Sequence, residues 1–205
     1  MPSPRARRSR PARGEARERI VLAAARAFAE KGFEAASTRE IAERAGTDQG
    51  LVTYHFPSKD RLWRAAADHV FGTLTRRLDE RVLSVTHRSP RERARLAIRE
   101  SVRWSAEHPA FFRFLVDTGN RSGARARWLV DTYIRPRFEY MQTHGLVPTL
   151  GLDPSDAPHA FYALAGAAGL IFAVAPNCRR LTGVDPLDPD VVEAHADFVA
   201  RLIVP

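Results

Sequence analysis

Apolar residues recur along this chain at helical spacing from about residue 14 to its end. Ile20, Val21, Ala24, Ala25 and Phe28 repeat every three or four positions and predict one buried helix face. Glu15 and Arg19 stand one turn apart and are expected to pair. Gly32 suits the left-handed stop after a helix, and Phe33 follows where it can fold back onto the helix end. Ser37-Thr38-Arg39-Glu40 fits a capping box, with Glu40 expected to reach back to Ser37. A short helix through Ile41, Ala42 and Ala45 then ends at Gly46. Asp48 is a fitting N-cap for a second short helix over residues 49–56, which Pro57 stops. Ser58 caps a long helix to residue 83, with Leu62, Ala66, Val70, Leu74 and Leu78 four residues apart.

The second half continues the pattern. Pro90, after Ser89, sits at a favoured first-turn position and opens a helix over Pro90–Glu107 carrying Leu96, Ile98, Val102 and Trp104. His108-Pro109 breaks it. Residues 110–116 form an aromatic turn or two of helix, and 117–123 a loop. Residues 124–144 are expected to be one helix, kinked by Pro136. A loop over 145–154 leads to a helix over 155–175 rich in alanine and glycine. A long connection over 176–189 precedes a last helix over 190–204. About nine helices and no strand pattern make the fold class all-α.

Composition sharpens this. Lys plus Arg number 32 against 24 Asp plus Glu, a formal charge of +8 over 205 residues. The excess is uneven: residues 1–19 hold seven arginines against Glu15 and Glu18, whereas residues 37–59 hold three cations and three carboxylates. A basic end on a nearly neutral body points to a polyanion partner. Residues 1–13, rich in Pro, Ser and Arg, are expected to be a disordered basic arm that either touches DNA phosphates or only raises the encounter rate. One cysteine, Cys178, excludes an intramolecular disulfide and a cysteine-based zinc site. No apolar run approaches a membrane span, and no apolar segment follows the basic start before Ile20, so neither membrane nor secretory leader is expected. Cytoplasm is the default. The seven histidines have no metal-ligand spacing. Nucleophile elbows and phosphate-binding glycine loops are missing, so neither a cofactor nor an enzyme is expected.

Two short helices joined by a glycine-containing turn have the helix-turn-helix layout, in which the second helix enters the major groove. On the second helix Gln49, Gly50, Thr53 and Tyr54 occupy the start and one face. Gln can address adenine, Thr can touch a thymine methyl, and Gly50 lets the backbone come close. Tyr54, His55 and Lys59 can reach phosphates, as can Thr38 and Arg39 at the start of the preceding helix.

Here a resemblance becomes specific. Phe28-Ala29-Glu30-Lys31-Gly32-Phe33-Glu34, Ser37-Thr38-Arg39-Glu40-Ile41-Ala42, Ala45-Gly46 and Tyr54-His55-Phe56-Pro57-Ser58-Lys59 are similar to the TetR/AcrR family of transcriptional regulators, without gaps over about residues 14–63. The resemblance implies a three-helix DNA-binding domain, here residues 14–60. It implies a ligand-binding and dimerisation domain behind it, here 61–205. It also implies repression that a small molecule relieves. Carried over by position, the DNA contacts are Thr38, Arg39, Gln49, Gly50, Thr53, Tyr54, His55 and Lys59. Leu51-Val52-Thr53 departs from the family's usual pattern.

The rest of the chain is less diagnostic. Its aromatics are mostly core, yet some must line any pocket among the helices of residues 84–175. Trp104, Phe112, Trp128 and Tyr133 are the candidates, for a small and mostly apolar inducer. Asp131 and Arg135 either meet a polar ligand group or form a surface pair. The last two helices carry small residues and an apolar stripe through Phe198, Leu202 and Ile203. They are expected to build a homodimer that reads a palindromic DNA operator. A rival class is an enzyme or small-molecule carrier that keeps a vestigial DNA-binding head.

Overall fold

In the computed structural model, residues 13–119 and 123–205 are described. The arm expected over residues 1–13 therefore lies outside them, apart from Arg13. The described residues form helices joined by short turns, with no strand among them, and the class is all-α. The chain divides into two compact units, Met1–Ala66 and Ala67–Pro205.

In the first unit α1 covers Arg13–Ala35, α2 Thr38–Ala45 and α3 Gln49–His55. Helix α4, Lys59–Leu83, begins here and contributes Leu62, Trp63 and Ala66 to the core. Ile20, Ala24, Phe28, Ile41, Ala42 and Val52 complete that core, all nearly without exposure. Gly32 interrupts α1 at φ 73°, ψ 172°, and the Phe33 ring folds back to stack on Phe28 at 5.8 Å. Arg19 does not pair with Glu15. Its Nε donates to the Ala45 carbonyl at 3.2 Å, where the free carbonyls at the end of α2 attract a cation.

In the second unit α5, Pro90–Glu107, is the central element. It packs on α12, Pro189–Ile203, and α10, Ala157–Ala173, over a core of Ile98, Val102, Phe172, Val199 and Ala200. Ser89 and Glu92 form a complete capping box at its start. Helix α6 covers Ala110–Gly119, three residues longer than the pattern indicated.

Three expectations fail for related reasons. Residues 124–144 are not one kinked α-helix but α7 (Ala124–Leu129), a π turn (Val130–Ile134) and α8 (Arg135–Thr143). Pro136 has no N–H and would crowd the carbonyl one turn back. The preceding turn widens instead, so that Arg135 N–H bonds to Val130 O. The supposed loop over 145–154 contains α9, Leu146–Leu150, and the supposed connection over 176–189 contains α11, Ala175–Thr182. Pro148 and Pro176 lie in first turns, where a missing N–H costs nothing. No single described helix is long and apolar enough to cross a membrane.

Candidate nucleic-acid interface

The α2–turn–α3 segment is fixed by short-range bonds. Ser37 Oγ accepts from Glu40 N at 3.1 Å, and Asp48 Oδ1 accepts from Leu51 N at 2.8 Å. Between them Gly46 takes the left-handed conformation, φ 64° and ψ 41°, that lets α2 stop and α3 start within three residues. The capping box at Ser37 is only half made. Glu40 does not reach back: its carboxylate lies 2.8 Å from Lys31 Nζ and 2.7 Å from Arg44 Nη2, and Arg44 also holds Glu30 at 2.7 Å. The Lys31 bond, with both positive charges beside it, holds the Glu40 carboxyl below its ordinary range. The cations of α2 are thus partly spent on clamping α1 to α2.

The eight expected contact residues are all on this unit, but they are not equivalent. Arg39, Gln49, Gly50, Thr53 and Tyr54 are exposed, and Thr38 is half-buried. Tyr54 projects into solvent, 66% exposed. Gln49 Nε2 donates to Thr38 Oγ1 at 3.2 Å, tying the start of α3 to the start of α2. Thr53 Oγ1 donates to the Gln49 carbonyl at 3.1 Å. A Cβ at Gly50 would stand 3.0 Å from Asp48 Oδ1, so the glycine leaves room for the capping carboxylate as well as a bare backbone outside.

His55 and Lys59 are more enclosed than Arg39, Gln49, Gly50, Thr53 and Tyr54. His55 is half-buried, and its Nε2 is covered and without a hydrogen-bond partner. Lys59 Nζ lies 4.6 Å from the Phe33 ring centroid and donates to Glu34 O at 3.1 Å, so its ammonium is held at the end of α1. An open groove of about 470 Å³ runs here, lined by Ser37, Thr38, Thr53, Phe56, Ser58 and Lys59 among others. The first turn of α2 faces it, and free N–H groups at a helix start favour an anion.

In the second unit Trp104, Trp128 and Tyr133 join one run of touching rings. Trp104 stacks on His108 at 4.4 Å and meets Phe111 edge-on at 4.6 Å. Phe71 lies 4.8 Å from Phe111 and 5.5 Å from Tyr133, which lies 5.9 Å from Trp128. Trp104 is fully buried, and its Nε1 has no hydrogen-bond partner. Tyr133 donates to Asp68 Oδ1 at 2.5 Å. Burial, then that carboxylate, holds its phenol protonated well above the ordinary range. Phe112 stands apart, its ring against Gly169 of α10. Asp131 and Arg135 form an exposed pair at 3.0 Å.

Comparison with known proteins decides the family. Residues 20–66 match the description "Bacterial regulatory proteins, tetR family". The HTH-type transcriptional repressor Rv3405c of Mycobacterium tuberculosis is 31% identical over 198 residues, covering 94% of this chain and 92% of that protein. This chain belongs to the TetR family. It is a helix-turn-helix transcriptional regulator. A shorter match, 30% identical over 82 residues, covers 40% of the chain and 42% of the transcriptional regulator BetI of Pectobacterium carotovorum.

Solved structures share the TetR-family fold along nearly the whole chain. The fatty acid degradation regulator FadR of Bacillus halodurans has a TM-score of 0.69 at 15% identity, covering 91% of this chain and 97% of that one. AibR, in complex with isovaleryl coenzyme A and operator DNA, has a TM-score of 0.66 at 18% identity, covering 93% and 98%.

Two features of this TetR-family chain were not visible in its sequence. Glu100 is buried on α5 and accepts from Arg77 Nε at 3.0 Å and Arg103 Nη1 at 2.7 Å. Arg77 also holds Glu107, and Arg103 holds Glu193 of α12 through two bonds of 2.7 and 2.6 Å. The Asp68–Tyr133 pair spans 65 residues. Neither is visible locally, because Arg77 and Glu193 lie far along the chain from α5, and Asp68 lies far from Tyr133.

Proposed function

We propose that this regulator is a homodimeric repressor that acts in the cytoplasm on a pseudo-palindromic operator and is released by a small, mostly apolar inducer. Helix α3 enters the major groove. Gln49, Gly50, Thr53 and Tyr54 face the bases and adjacent backbone, and Thr38 and Arg39 meet phosphates. Lys59 and His55 stand at the margin and must reorient to contribute. The single observation that carries this reading is the exposed face of Arg39, Gln49, Gly50, Thr53 and Tyr54, held rigid by the caps at Ser37 and Asp48.

The dimer would form through α10 and α12. Tyr162 and Leu170 on α10, and Phe198 and Leu202 on α12, are large apolar side chains left in solvent at four- and eight-residue spacing. Two such helices from each subunit complete a four-helix bundle. The inducer would bind among the helices of residues 84–175, near Trp104, Phe112, Trp128 and Tyr133. Release requires it to bind one conformation more tightly than another, since equal binding shifts nothing. AibR, a solved protein of this fold in complex with isovaleryl coenzyme A and operator DNA, supports a ligand site and a DNA site on one such chain. No catalytic role is assigned to any residue.

Selection of bound duplexes from a random-sequence pool, followed by nuclease footprinting, tests the reading. The expected result is a two-fold symmetric site with half-site centres about 34–36 Å apart or a multiple of that. Enrichment of an asymmetric single site contradicts the dimer, and no enrichment contradicts DNA reading itself.

A further inference from the structure

We propose that Thr38 is a positioning residue for Gln49, and that together they select an adenine in each operator half-site. The inference rests on the reading of α3 as the major-groove helix. Gln49 opens α3 with an exposed side chain. A long amide in solvent samples several rotamers, and ordering it on contact with DNA takes conformational entropy from binding. Here that entropy is removed beforehand. Gln49 Nε2 donates to Thr38 Oγ1 at 3.2 Å, across eleven residues of chain. The backbone beneath it is fixed as well, by the Asp48 cap on Leu51 N and by the Thr53 hydroxyl on the Gln49 carbonyl.

The chemistry of the bond sets what Gln49 can read. An amide nitrogen has two hydrogens, and Thr38 takes one. The remaining N–H and the Oε1 acceptor match N7 and N6–H of adenine in the major groove. Thr38 has its own O–H left to donate, at the first turn of α2, where a phosphate is best received. One hydroxyl therefore holds Gln49 on its lone pair and a backbone phosphate through its proton. Docking on the backbone and reading the base become one event.

The test uses the full chain and the duplex enriched from a random pool. Affinity is measured by fluorescence anisotropy for all four bases at each half-site position. Four proteins are compared: wild type, Gln49→Ala, Thr38→Val and Thr38→Ser. Wild type should prefer adenine at one position by about 5- to 150-fold, the range for a bidentate amide contact. Gln49→Ala should abolish that preference. Thr38→Val, which keeps the shape and loses the hydroxyl, should cut it below about threefold and leave other positions unchanged, whereas Thr38→Ser should keep it. If Thr38→Val weakens every sequence by one common factor and adenine is still preferred, Thr38 is a phosphate contact alone and the proposal fails. If Gln49→Ala changes no base preference, the reading of α3 fails and takes the positioning role with it.

Discussion

Arg39 stands out into solvent, its side chain 80% exposed and only loosely held by Glu43 at 3.3 Å. An exposed guanidinium beside a helix start is suited to a phosphate, which carries no sequence information. Arg39→Ala should therefore weaken binding to all sequences about equally and flatten the dependence of log affinity on log salt by about one. Anisotropy titrations at several salt concentrations check this, and an unchanged slope would place Arg39 off the DNA. At this scale the sequence is most readable where cause and effect are close. Ser37, Asp48 and Ser58 cap the amide three residues on, so each is visible in a four-residue window. Glu40 and Lys59 escape such a window. Their partners Lys31 and Glu34 lie on α1, on either side of the Gly32 break, and only the folded unit brings them together. The covered Nε2 of His55 is invisible for the same reason.

Among the elements, α5 joins the second unit through charge as well as apolar packing. Glu100 meets Arg77 of α4 and Arg103 of its own helix, and Arg103 hands the network on to Glu193 of α12. Burial alone would raise the Glu100 pKa, but the bonds from Arg77 and Arg103 outweigh it and hold the carboxyl below its ordinary value. Glu193 is lowered by Arg103 in the same way. Removing one member of a buried ion cluster leaves the others uncompensated, so Glu100→Ala should cost about 3 kcal/mol in denaturant unfolding. A group whose folded pKa is depressed contributes stability above its unfolded pKa and loses it as pH falls through the folded value. Wild-type stability should thus hold steady above about pH 5 and decline below about pH 4, and Glu100→Gln should make that acid limb shallower. A limb of equal steepness would mean that Glu100 titrates normally. Element limits were legible wherever a cap or Pro–Ser pair marks them, as at Ser89-Pro90. The short helices α9 and α11 were not, because Pro148 and Pro176 read as breakers yet sit in first turns. The π turn before Pro136 has no periodicity of its own to see.

For the whole molecule the charge pattern matters more than its total. The +8 is concentrated in residues 1–19, while the helix-turn-helix is neutral. Long-range attraction and base selection would then lie in different segments. In the proposed dimer, Phe198 and Leu202 are 54% and 63% exposed in the single chain and lose that exposure on assembly. Replacing both by Asp should give a monomer in sedimentation equilibrium, with helical content unchanged and operator affinity lost. A variant that stays dimeric would move the interface elsewhere. The architecture and the DNA-binding head were legible because amphipathic spacing and a gap-free motif carry them. The aromatic run from Trp104 to Trp128 was legible only as a set of candidates, since spacing does not tell a core ring from a pocket ring. The central claim is that this chain reads DNA sequence through α3. The most direct measurement is an anisotropy titration, at physiological salt, of the enriched duplex against a scrambled duplex of equal length. The account predicts a preference of about 1,000-fold or more, within the range of specific regulators. Equal affinity for the two duplexes would contradict it.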